Sequence, residues 1–264
     1  MSSLIVAPSH GSRWRELVGG APPEAPSLDD EQRRLFAARF AALGTETHRR
    51  LDAWSVERPE RRTPFAWSAA TARRTLGNAA LRRIVAASSS VLEAVGDVVT
   101  DRLLSAAAGF ARPGSLGHWL ASLADAERAL VVAEAANWAT TLVELTGALS
   151  GWRPVASDAY YVVAGARVTL RAQRELVVEG PSRVVVRVRS GVPGRSAGAG
   201  LRADLAVETL AHPNGDAPGR FIGVWPDAGI ALGVDGTLDD VRRGARHLLR
   251  AARPEPLEGL AHAA

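Results

Sequence analysis

One change of hydrophobic period, near Gly151, constrains this chain more than any other feature of its sequence. Before Gly151 the apolar residues recur at helical spacing; after it they alternate. A helix gathers side chains onto one stripe every 3.6 residues, and a strand sends every second one to the same face. Over 125–149, Leu130, Val131, Trp138, Leu142 and Leu145 keep the helical period. Over 167–178, Val168, Leu170, Ala172, Leu176 and Val178 share one strand face, with Arg174 as the exception. Arg167, Thr169, Arg171, Gln173 and Glu175 share the other. This order predicts an α/β fold: a helical N-terminal region followed by a small mixed β-sheet flanked by helices.

The chain divides accordingly. Residues 1–26 read as an N-terminal segment and linker ending in GGAPPEAP. A helical region covers 27–120, an α/β domain 121–253, and a tail 254–264. Ser27 is the expected cap of a helix running to about 53, with Gly44 as its weak point. The run 57–64 is a charged, proline-bounded loop. Further helices start at Ser68 and Ser90, followed by a short one over 116–123 and a long one over 125–149. Strands are expected over 160–163, 167–178 and 183–190. A glycine-rich loop (191–200), a helix (201–212), a hairpin (221–225 with 230–234) and a last helix capped by Thr237 complete the domain. The loop has neither the ending of a nucleotide-binding P-loop nor the glycine spacing of a dinucleotide fingerprint, so no cofactor is expected from it.

Composition narrows the function classes. No cysteine occurs, which excludes disulfides and cysteine metal sites. The six histidines show no ligand spacing, so no metal is expected. Lysine is absent, and all 32 basic residues are arginine. The formal net charge of +4 permits nucleic-acid binding without demanding it. The apolar run 4–7 is too short for a signal peptide, and no long apolar stretch is free of charges. The expectation is a cytoplasmic protein with no membrane partner.

The charge is concentrated. Between Ala166 and Arg195 stand seven arginines and two glutamates, a local charge of +5 against +4 for the whole chain. If the EGPS turn (179–182) makes a hairpin of the strands around it, their polar faces lie side by side and present these arginines together.

The order helix, three strands, helix, strand resembles the core of the PD-(D/E)XK nuclease superfamily, its exonuclease-like members included. Members carry an acid on the second strand, then an acid, a spacer and a lysine on the third. Here REL (174–176) and VVVRVRSG (184–191) fall at those places. Glu175 stands at the first acid, Arg187 at the second and Arg189 at the lysine. The resemblance covers about half the chain and implies a restriction-endonuclease-like core with a degenerate motif. Family members hold Mg²⁺ between carboxylates, because the ion takes oxygen ligands and negative charge. An arginine at the second acid removes a ligand and adds a positive charge, so no catalytic residue is expected at these positions.

Three functions follow. The first is a catalytically inactive nuclease-like protein that binds DNA or RNA through Arg171, Arg187 and Arg189. The second is a protein-interaction or regulatory subunit with no nucleic-acid role. The third is an active nuclease with relocated acids, for which Glu134, Asp204 and Glu208 are the candidates.

Overall fold

The computed structural model describes residues 4–22, 25–43, 48–57, 66–212 and 217–252. Gly44, most of the 57–64 loop and the 254–264 tail lie outside them. The architecture is α/β. Among the described residues no helix is long and apolar enough to cross a membrane.

Strands β1 (Ile5–Pro8), β3 (Trp152–Pro154), β6 (Leu176–Val178), β7 (Val184–Val188), β8 (Arg220–Trp225) and β9 (Ile230–Asp235) form one mixed sheet, in the order β1-β9-β8-β7-β6-β3. β7 and β8 run parallel, joined through helix α8 (Ala197–Ala211). Every residue of β7 and β8 is buried, as befits central strands covered on both faces. Val184, Val186 and Val188 enter the core on one face, under helices α1 (Gly11–Gly19) and α7 (Asp125–Gly147). Val185 enters the other core, with α8 and α9 (Leu238–Ala252).

A second sheet of three strands lies across α8. Its order is β2-β5-β4, made of β2 (Arg49–Asp52), β5 (Val168–Ala172) and β4 (Ala159–Val162). Helix α8 is therefore enclosed by both sheets, by α9 and by the short helix α3 (Ala53–Glu57). A third core joins α4 (Ala69–Ala87), α5 (Val91–Ala107), α6 (Leu116–Ser122) and α7. Two of the three serines expected as caps, Ser68 and Ser90, act as such. Ser68 Oγ accepts from the Thr71 N–H, and Ser90 Oγ from the Glu93 N–H, whose carboxylate accepts the Ser90 N–H in return.

Five expectations need correction. The strand expected over 167–178 is two strands in different sheets, because Gln173, Arg174 and Glu175 are turned aside by polar partners of their own. The faces of β5 and β7 consequently do not lie side by side; only β6 and β7 form the hairpin. The helix expected over 27–53 is α2 (Asp30–Ala41), capped by Asp29, and β2 with α3 follow it. Segment 1–26 is more than a linker: β1 pairs antiparallel with β9, and Trp14 of α1 donates its indole N–H to the Leu145 carbonyl at 3.1 Å. Part of the glycine-rich loop is helical, since α8 begins at Ala197.

The α8–α9 contact needs a residue without a side chain. A Cβ at Gly244 would collide with the Arg202 carbonyl oxygen of α8. Gly244→Ala is expected to cost about 1–3 kcal/mol by overpacking, despite alanine's better helix propensity. Gly96→Ala, where nothing lies within 4 Å of the new carbon, is expected to gain up to about 1 kcal/mol. Urea unfolding of both variants checks the contrast.

Candidate functional site

The break at 173–175 and the antiparallel pairing of β6 with β7 bring Glu175 beside Arg187. The Glu175 N–H donates to the Val186 carbonyl at 3.0 Å. Its carboxylate accepts the Val188 N–H at 2.8 Å and, more weakly, Asn78 Nδ2 at 3.4 Å. Asn78 in turn accepts from the Trp138 indole at 3.1 Å, which ties the site to α4 and α7. Burial pushes the Glu175 carboxyl up, against the pull of Arg74 and the Val188 N–H.

Arg187 is 2% exposed. It donates to Asp204 Oδ2 at 2.5 Å and to Gln173 Oε1 at 2.7 Å. Burial works against its charge, but the Asp204 and Glu175 carboxylates prevail and raise its pKa. Asp204, on enclosed α8, is fully buried, and burial pushes its carboxyl up to about 7 although Arg187 pulls the other way. One turn on, Glu208 is equally buried and accepts from Arg174 at 3.2 Å, with His212 beside it at 3.3 Å. Burial raises the Glu208 pKa as well. One oxygen of each acid, Asp204 Oδ1 and Glu208 Oε1, has no hydrogen-bond partner among the described residues.

Arg189 is held elsewhere. Both its terminal nitrogens meet the Glu57 carboxylate at 2.5 Å. Its guanidinium lies 5.2 Å from the Trp225 ring centroid and 5.8 Å from that of Trp54, a charge held in a fork and flanked by aromatic rings. Glu57 was assigned to a loop by sequence, and nothing in its local pattern marks it as the partner of Arg189. Arg171 keeps 25% exposure of its side chain and pairs with Asp158 at 2.6 Å. Glu134 lies on α7 one turn before Trp138, half-buried and without a described ion pair. Among the described residues no group of three or more His, Asp or Glu side chains is placed to hold a metal ion.

Beside Glu175 a cleft of about 180 Å³ opens to solvent. Four arginines (Arg74, Arg82, Arg171 and Arg174) line it against two acids, Asp158 and Glu175. Arg74, Asn78 and Arg82 stand at i, i+4 and i+8 on α4, so one helix face supplies that wall. That spacing was the signal available in sequence. Of the four arginines on α4 (Arg73, Arg74, Arg82 and Arg83), Arg73 pairs with Asp227 and Arg83 with Asp97 and Asp101. Arg82 reaches the Val155 carbonyl at 3.4 Å. Arg74 has no hydrogen bond or ion pair among the described residues, and desolvation lowers its pKa against the pull of Glu175. A half-buried guanidinium without a direct partner is costly, and an anion bound in the cleft would offset that cost.

Comparison of the chain with protein-family models, with curated proteins and with solved structures returned no match.

The buried pair makes two predictions. Removing one partner, as in Asp204→Leu, strands a buried charge and is expected to cost about 3–5 kcal/mol, whereas Arg187→Met with Asp204→Leu is expected to recover most of it. Urea midpoints of the single and double variants decide. The second concerns pH. The Asp204 carboxyl stands near 7 when folded, against about 3.9 in an unfolded chain, so the folded state binds the extra proton between these values. Its contribution to stability is full below pH about 4 and is lost as pH rises toward 7. Stability measured from pH 5 to 7.5 should fall more steeply in the parent than in Asp204→Asn. Equal slopes would contradict the assignment.

Proposed function

We propose that this chain is a nuclease-like protein of the PD-(D/E)XK type that does not cut by the family's metal route and that binds nucleic-acid phosphate in the cleft beside Glu175. Within the six-stranded sheet the order α7, β3, β6, β7, α8, β8 supports the resemblance, with β3 in place of the strand expected over 160–163, which lies with β5 in the other sheet between β3 and β6 in the chain. The single observation that carries the reading is the Arg187 guanidinium, set 2.5 Å from Asp204 and in the field of Glu175. Asp204 holds a guanidinium where the family would hold a divalent ion, and Glu175 adds its charge from nearby without a direct bond. The residues present do not fit such an ion, which takes several oxygen ligands at about 2.0–2.1 Å and tolerates no cation among them. Arginine also stays protonated and cannot shuttle a proton.

Arg187 and Arg189, committed to Asp204 and Glu57 inside the fold, offer no free guanidinium to a phosphate. The contact therefore moves to the cleft, with Arg74 as its leading residue and Arg82 and Arg171 beside it. Guanidinium forks suit phosphate oxygens, and such contacts give affinity without base specificity. The internal commitment of Arg187 and Arg189 favours one second reading: a protein-interaction or regulatory subunit whose cleft takes an anion other than nucleic acid.

Binding to labelled duplex and single strands, titrated with salt, separates these readings. Two or three phosphate contacts give a slope of log K against log salt of about −2 to −3 on duplex. Arg74→Ala is expected to weaken all sequences alike and to flatten the slope by about one unit. Absence of binding at low salt leaves the second reading. Chelator-sensitive cleavage with Mg²⁺ or Mn²⁺ would instead favour an active enzyme built on Glu134, Asp204 or Glu208.

A further inference from the structure

Helix α8 separates two surfaces. Asp204 and Glu208 turn toward the ion pairs, while Ala206 and Leu210, two residues on from each, line a trough of about 550 Å³ on another side of the helix. One wall is α2, with Leu35, Phe36 and Arg39; the other is α9, with Val241, Arg242, Ala245 and Arg246. The floor is apolar, since Ala206, Leu210, Val241 and Ala245 are core residues. Leu35 is 55% exposed at the edge.

The walls are fixed without any occupant. Arg33 of α2 donates to the Leu210 carbonyl of α8 at 3.1 Å, and Phe36 packs on Phe40 with ring centroids 4.8 Å apart. The rim is cationic. Arg39, Arg242 and Arg246 are exposed and make no ion pair among the described residues. The acid on the rim, Asp239, is taken by Arg243 at 2.8 Å.

We propose that this trough docks an acidic amphipathic helix of a partner protein. Charge decides the occupant. A fatty carboxylate brings one charge to one end, whereas these cations stand on both walls, with Arg242 and Arg246 one helical turn apart. A second copy of the chain would set one arginine rim against another unless it turned a different face to the trough. A helix with a leucine stripe flanked by glutamates matches the apolar floor and both rims at once, which is the general mode of helix-in-groove recognition. The volume suits a few large side chains presented at i, i+3 or i+4, and i+7. The proposal does not rest on the nucleic-acid reading, since none of the trough's residues lines the cleft.

The test uses the full chain and a fluorescein-labelled peptide of about 18 residues, long enough to form helix, with leucines on one stripe and glutamates beside them. A scrambled peptide of the same composition disperses the stripe. The designed peptide is expected to bind at micromolar concentration, and the scrambled one at least about tenfold more weakly. The Arg242→Glu/Arg246→Glu and Leu35→Asp variants alter exposed side chains, so they should keep the parent's circular dichroism, and each should lose about tenfold or more in affinity. Equal binding of both peptides would mean nonspecific attraction to a basic surface and would overturn the proposal. So would unchanged affinity in both variants, no binding of the designed peptide, or its displacement by palmitate at equal concentration.

Discussion

The enclosure of α8 is the constraint on which the rest of the structure depends. A helix covered by two sheets and two other helices has almost no face left for water, yet this one carries Asp204 and Glu208. A buried carboxylate must be paired or protonated, because burying it alone costs far more than any single contact returns. The fold answers with Arg187 from β7 and Arg174 from the break between β5 and β6. Gln173, Arg174 and Glu175 leave the regular ladder in order to serve this lattice. The change of sheet at that point and the pairing of the acids are therefore one event.

The same lattice accounts for the chemistry. The chain has arginine and no lysine, so its buried cations are permanent. A lysine at 187 could lose its proton on burial; an arginine cannot, and its planar fork holds Asp204 and Gln173 at once. Permanent cations hold the Asp204 and Glu208 carboxylates in place. Arg189 shows the same economy of position: one carboxylate and two indoles enclose it, and α3 is thereby tied to the large sheet. On the open side of the site α4 contributes Arg74 and Arg82 to the cleft.

Much of the helical half could be read from the sequence because its signals are local. Ser68 and Ser90 bond to N–H groups three residues away, so their role needs no knowledge of the fold. The hairpin β8–β9 and the cap at Thr237 are local in the same sense. The candidate site was half legible. Alternation and the EGPS turn put Glu175 and Arg187 on neighbouring polar faces, and the pairing of β6 with β7 sets their register. The partners Asp204 and Glu57 stand 17 and 132 residues from the arginines they hold, and no local pattern encodes a pairing at such separations. Arg74 and Arg82 stand at helical spacing, but which arginines of α4 face the cleft is set by the packing of α4 against α7.

The sequence by itself determined the type of each long element, the change from helical to alternating pattern and the concentration of arginine around β7, because periodicity and capping act within a few residues. Only the tertiary structure decided that alternation over 167–178 serves two sheets. A strand's alternation records that one face is buried and not which sheet buries it, and a charged side chain carries no mark of whether it will meet water or a carboxylate. Those outcomes are set by the long-range packing that encloses α8.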